Sequence, residues 1–173
     1  MLKILLYLIS ISYADLNFLH EEFTQDNRET ITQIALRASH LNSKLTYGES
    51  LTLGYLITKK ALEANLEPLT VAALIATESD FRQEATNPSG DFSIAQINYP
   101  VWQVEFVRLG REGLDLNRLM NDVEYSLDRM MEILVILRER HPNDKQFYGR
   151  YHSGTKSLKI GYLERVYRHR SMF

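Results

Sequence analysis

The chain contains no cysteine. Disulfides, thiolate nucleophiles and zinc–cysteine sites are therefore excluded, although its N-terminus points to an oxidising compartment. It has little that would divide it: four prolines and eight glycines in 173 residues, with no linker rich in either, no low-complexity tract and no internal repeat. An excess of one charge is missing too. The formal net charge of −2 supplies no general pull toward nucleic acid or a membrane surface. The histidines at 20, 40, 141, 152 and 169 lack ligand-like spacing, so neither metal nor cofactor is expected. Past the first residues there is no uninterrupted apolar span, and the one at the start, Ile4 to Ile11, is too short to cross a bilayer as a helix.

That first stretch reads as a secretory signal. Met1-Leu2-Lys3 carries one positive charge, the apolar run follows, and Ser12-Tyr13-Ala14 has small residues at the two positions that govern cleavage. A buried N-terminal helix is the alternative. The expected domain plan is a signal peptide at 1–14 and one domain at 15–173, long enough for a sizeable core, with the core at about 49–167. Hydrophobic residues at 45% argue against wholesale disorder. The expected location is periplasmic or secreted, with no integral membrane segment after processing.

Helical spacing dominates the rest. Ile31, Ile34, Ala35, Ala38 and Leu41 recur at steps of three and four within 29–41. A second helix is expected over 49–64, with Leu53, Leu56, Ile57 and Ala61 inward, ending before Pro68. Pro68 suits the first turn of the next helix, which runs to Thr77 or Glu78. Asn87-Pro88-Ser89-Gly90 is a turn, and Phe92 to Asn98 reads either as a strand or as a helical turn. The longest helix is expected over 122–140, its stripe formed by Val123, Leu127, Met130, Met131, Leu134 and Leu137, with Pro142 just beyond. A last helix begins near Ser157 and carries Ile160, Leu163, Val166 and Tyr167.

Glu78 stands out within this pattern. It ends the apolar run 71–77. A carboxyl buried on most sides at a helix C-terminus is costly to ionise, because desolvation and the negative helix end both favour the protonated form. A carboxyl still protonated near neutral pH is what is needed to hand a proton to a glycosidic oxygen. Taken alone, a helix-end glutamate pointing at water is the ordinary alternative.

Three motifs change that balance. Glu78-Ser79-x-Phe81-x-x-x-Ala85 resembles the first motif of the soluble lytic transglycosylase (SLT) family, within the lysozyme-like superfamily. Gly90-Asp91-Phe92-Ser93-Ile94-Ala95-Gln96-Ile97-Asn98 is similar to its second motif, a glycine-x-x-glutamine core. Tyr151-His152-Ser153-Gly154, followed by Tyr162 and Val166, resembles its third, Tyr-Asn-Ala-Gly with a downstream tyrosine. The His-Ser version is closest to transglycosylases carried by conjugation and secretion systems. Two departures stand in the second motif: Ser93 replaces the glycine, and Ile94-Ala95 replaces the usual Leu-Met. Serine takes positive φ less freely than glycine. The resemblance spans about 66–166 and implies a mainly α, lysozyme-like single domain with a short irregular or β segment after the catalytic helix.

The resemblance also implies the chemistry. The substrate is peptidoglycan, cut at the β-1,4 bond between N-acetylmuramic acid and N-acetylglucosamine. Glu78 serves as acid and then as base, taking the proton of the sugar's own 6-hydroxyl and closing a 1,6-anhydro ring. Ser79, Gln96, Tyr151, Tyr162, His152 and Asp91 are the candidate substrate-binding residues, with Tyr162 the better candidate for contact with Glu78. Ser79 serves either the groove or helix termination; Gln96 touches substrate or orients Glu78; Tyr151 and His152 have packing alternatives. Phe81 and Ala85 are expected to pack, as is Trp102. The second segment is also similar to animal lysozymes, where an aspartate stands at the position of Asp91. A muramidase using Glu78 and Asp91 therefore remains open, against a turn role for Asp91. So does a catalytically weak wall-binding scaffold. The basic stretch 165–170 reads as a solvated helix end, or as a contact for wall polymer or a partner such as a secretion or conjugation apparatus.

Overall fold

The structure, a computed structural model, describes residues 24–173. The signal peptide expected at 1–14 lies outside the described residues. Seven α-helices, one 3-10 helix and one two-stranded sheet make up the described part. Helix α1 spans Gln25–Leu41 and is capped by Thr24, whose side chain accepts from the Asn27 amide. Helix α2 (Tyr47–Glu63) opens on a capping box between Thr46 and Glu49. These two helices pack together closely. A Cβ added at Gly54 would lie 2.5 Å from the Ile31 carbonyl oxygen, so the glycine is what permits the approach.

Helix α3 (Pro68–Ser79) is the centre of the molecule. Pro68 stands in its first turn and Glu67 caps it through the amides of Leu69 and Thr70. The whole run Val71–Ala76 is buried, together with Ser79. A helix apolar on all sides must be enclosed by others, and α1, α2 and α7 (Lys156–Arg170) all pack against it. Asp80 ends it in the left-handed conformation, with φ 52°.

The segment left open in the sequence between strand and helical turn is a tight antiparallel hairpin. Strand β1 (Asp91–Phe92) pairs with β2 (Ile97–Asn98) in the register Asp91 to Asn98 and Phe92 to Ile97. An isolated bridge joins Thr86 to Phe92. Two helices not anticipated follow. Helix α4 (Tyr99–Arg108) starts at once after β2, with Asn98 capping the Val101 amide, and buries only Phe106. Helix α5 (Leu116–Asn121) is a short connector.

Helix α6 (Val123–Arg140) carries the expected stripe, buried at Leu127, Met130, Met131, Leu134 and Leu137. It is tied to α2 by Lys60, which is nearly buried and bonds Glu124 at 3.1 Å and Asp128 at 2.5 Å. The 3-10 helix Phe147–Tyr151 leads to α7. The expected face of α7 needs correction. Ile160 and Tyr167 are exposed, and Tyr162, Leu163 and Val166 are buried. The helix turns its phenol inward because α3 ends opposite that point.

Candidate active site

Glu78 sits in the last turn of α3. Its carboxyl accepts a 2.6 Å hydrogen bond from the hydroxyl of Tyr162 on α7. Tyr162 is 1% exposed, so the donor cannot swing away into water. Glu78 keeps part of its own surface open, yet burial is the largest influence on it. Burial pushes the carboxyl up to about 7. The Tyr162 bond and the Arg165 guanidinium pull it down, and Asp91 pushes it further up. Near neutral pH the group is therefore divided between acid and carboxylate, the state from which a proton can be given and taken back.

The backbone after Glu78 is held in strained conformations. Of five non-glycine residues with positive φ among the described residues, four lie here: Asp80 (52°), Phe81 (61°), Ser93 (73°) and Gln96 (46°). Each is costly for a residue with a Cβ and persists only if its surroundings enforce it. The enforcing contacts are visible. Asn42, buried on the far side, donates to the Phe81 carbonyl at 3.0 Å. Ser79 is 2% exposed and its hydroxyl donates to the Ile94 carbonyl at 2.6 Å. The Ser79 hydroxyl thereby ties the hairpin to the helix end. Gln96 likewise turns inward. Its amide nitrogen donates to Ala85 O at 2.8 Å and Ser93 O at 3.0 Å, and its oxygen lies 3.5 Å from the Asn87 amide. It orders the loop and spends no hydrogen bond on Glu78. Ser93 adopts the glycine-type conformation in spite of its side chain.

Asp91 is held from two sides. Asn87 and Asn98 donate side-chain amides to its two oxygens, at 2.5 and 2.7 Å. Asn87 also accepts from the Asp91 and Ser89 amides, so the expected turn and the carboxylate are one assembly. Asp91 is near enough to act electrostatically on Glu78, Tyr151 and His152. Tyr151 donates to the Ala95 carbonyl at 2.8 Å, and burial raises its phenol well above the usual range. His152 is exposed on one side and stacks on Tyr162 on the other, with centroids 4.8 Å apart and planes 8° from parallel. Burial and Arg165 push its imidazole down. Arg165 lies over the Tyr162 ring at 5.6 Å.

The expected set thus gathers around Glu78 in part. Tyr162, Tyr151, His152 and Asp91 share its surroundings, while Ser79 and Gln96 support the backbone. Trp102 packs edge-on against Phe106, and Phe81 is buried, both as expected. Asn42 and Arg165 join the site without being among the candidates the sequence offers. Asn42 offers no local signal, being 39 positions from its partner. In the sequence Arg165 stands out only as part of a basic stretch, and its spacing of one turn from Tyr162 is the signal that marks it. A groove of about 620 Å³ lies behind the turn, lined by Thr52, Leu56, Phe81, Gln83 and Ile94 among others, and Glu78 is not on its wall. Among the described residues no cluster of three or more His, Cys, Asp or Glu could hold a metal ion. Among them, too, no helix is long and apolar enough to cross a membrane.

The family described as the transglycosylase SLT domain matches residues 55–162, a span that runs from α2 to the phenol facing Glu78. No curated protein and no solved structure matches the chain.

Proposed function

Because this chain belongs to the transglycosylase SLT-domain family, and so is a lytic transglycosylase acting on peptidoglycan, we propose that Glu78 is its catalytic acid and base and that its product ends in 1,6-anhydro-muramic acid. In the first half of the reaction Glu78 gives its proton to the glycosidic oxygen and the bond to the anomeric carbon breaks. The substrate's acetamido oxygen stabilises the cationic carbon. In the second half the carboxylate takes the proton of the 6-hydroxyl, whose oxygen bonds the anomeric carbon and closes the ring. No water and no second carboxylate enter this balance.

The observation that carries the reading is the Glu78 carboxyl itself: half-buried, pushed up to about 7 and addressed by a fixed phenol. Tyr151, His152 and Asp91 are proposed to line the sugar site beside it. We assign Ser79 and Gln96 to its support. The mature protein is proposed to be residues 15–173, released into the periplasm or beyond after loss of 1–14. Local wall opening for a secretion or conjugation apparatus remains the proposed setting, on the likeness of the Tyr151–Gly154 motif.

A muramidase is the second reading, favoured by Asp91, whose carboxylate is oriented by two amides and acts on Glu78. Mass analysis of soluble products from isolated peptidoglycan separates the two. Anhydro-muramyl ends from the unaltered protein, and none from Glu78→Gln, are the expected result. Reducing ends, lost in Asp91→Asn as deeply as in Glu78→Gln, would transfer the assignment to hydrolysis.

A further inference from the structure

A carboxyl that acts first as acid is left as a carboxylate once its proton has been given, and a neighbouring cation stabilises that charge. Burial and Asp91 favour the protonated form of Glu78. The groups that face it from the packed elements are Tyr162 and Arg165 on α7, Asp91 on β1 and Tyr151 on the 3-10 helix, and His152 lies against the Tyr162 ring. Among the described residues the only cation acting on Glu78 is Arg165.

The geometry of Arg165 is specific. It lies on α7 one turn beyond Tyr162, with its guanidinium 5.6 Å from the ring centroid and one nitrogen 3.4 Å from the Gly161 carbonyl. No carboxylate among the described residues forms a salt bridge with it, although other basic residues nearby are taken up: Arg170 pairs with Glu67, and Arg150 with Asp144. His152 covers the same phenol as a stacked ring. The phenol is thus bonded to the carboxyl at its hydroxyl, and its ring carries both a planar neighbour and a charge.

We propose that Arg165 is a positioning residue, which holds the Tyr162 phenol against Glu78 and stabilises the carboxylate left by the first proton transfer, with His152 stacked on the same ring. The proposal rests on the assignment of Glu78 above and goes beyond it by naming what stabilises the carboxylate left by the first proton transfer. Arg165 need not touch the substrate. It works by the field it places on the carboxyl and by its grip on the phenol.

The test compares Arg165→Gln and Arg165→Lys with the unaltered protein in two readouts. One is the pH–rate profile on soluble glycan strands. The other is direct titration of the Glu78 carboxyl by carbon NMR, identified by the signal lost in Glu78→Gln. In Arg165→Gln the carboxyl titration and the alkaline limb move together to higher pH by several tenths of a unit, about a two- to threefold change in relative rate on that limb. The maximal rate falls more than KM rises. Arg165→Lys keeps the charge and stays close to the unaltered limb. An unchanged titration in Arg165→Gln, or the same shift in the lysine variant, would overturn the proposal. A raised KM on an unmoved limb would do so as well, by making Arg165 a contact for an anionic part of the substrate. Failure of the underlying reading looks different: Glu78→Gln would still cut.

Discussion

At the scale of the residue, the features that suit Glu78 to its proposed role make it a burden on the fold. Its carboxyl is pushed up to about 7 from an ordinary value near 4.5. The folded state therefore binds the proton more tightly than the unfolded chain does. That advantage is fully present below the ordinary carboxylate range and is lost as pH rises toward 7 and beyond. The loss is at most about 3 kcal/mol, from roughly 1.4 kcal/mol per unit. Glutamine has the same shape, still accepts the Tyr162 hydroxyl and has no charge to desolvate. Glu78→Gln should therefore match the unaltered protein in thermal stability near pH 4.5 and exceed it at pH 8 by about 1–3 kcal/mol. Thermal scans at the two pH values check this. A variant equally stable or weaker at pH 8 would mean that the carboxyl is better solvated than its burial implies.

At the scale of the element, the decisive piece is the segment from Asp80 to Gln96, which folds by overruling its own backbone preferences. Ser93 shows this most plainly, at φ 73° and fully buried, where its hydroxyl accepts only a long 3.3 Å bond from the Ala95 amide. Ser93→Gly should raise stability by about 0.5–1 kcal/mol, because relief of the left-handed conformation outweighs that bond and the added freedom of the unfolded chain. Gln96→Ala should do the opposite and cost about 1–3 kcal/mol, since the carbonyls of Ala85 and Ser93 lose a donor. Chemical denaturation of both variants gives the two signs. Much of this segment was not legible in advance. The helices α1, α2, α3 and α6 announce themselves through apolar spacing, and Glu78 and Tyr162 through motif order. By contrast, α4 leaves Val101, Val104 and Val107 in the open and buries only Phe106, so it shows no inward stripe to read. Ser79 and Gln96 belong to motifs, but nothing in a motif says whether a polar side chain faces a groove or a neighbouring carbonyl. Asn42 is invisible because its value depends on a turn 39 positions away.

At the scale of the whole molecule, α7 closes the fold. Its inward face of Tyr162, Leu163 and Val166 seals one side of α3, and Arg170 at its end pairs with Glu67 at the opposite end of α3. That pair is exposed and should contribute no more than about 1 kcal/mol, so Arg170→Ala should barely move the melting temperature. Leu163→Ala removes apolar volume from the seal and should cost about 2–4 kcal/mol, with activity falling in step with the folded fraction. A large effect of Arg170→Ala and a small one of Leu163→Ala would mean that charge, and not burial, docks the helix.

The bond between Tyr162 and Glu78 joins positions 84 apart in the chain. A protein that cuts peptidoglycan carries a hazard while it is still being made. Here the carboxyl proposed to do the cutting gains its partner only after α7 has been synthesised and has folded back onto α3. A nascent chain, or one that has lost its tail to a protease, carries Glu78 but not the phenol that addresses it. Docking of α7 thus arms the blade that Glu78 is proposed to be.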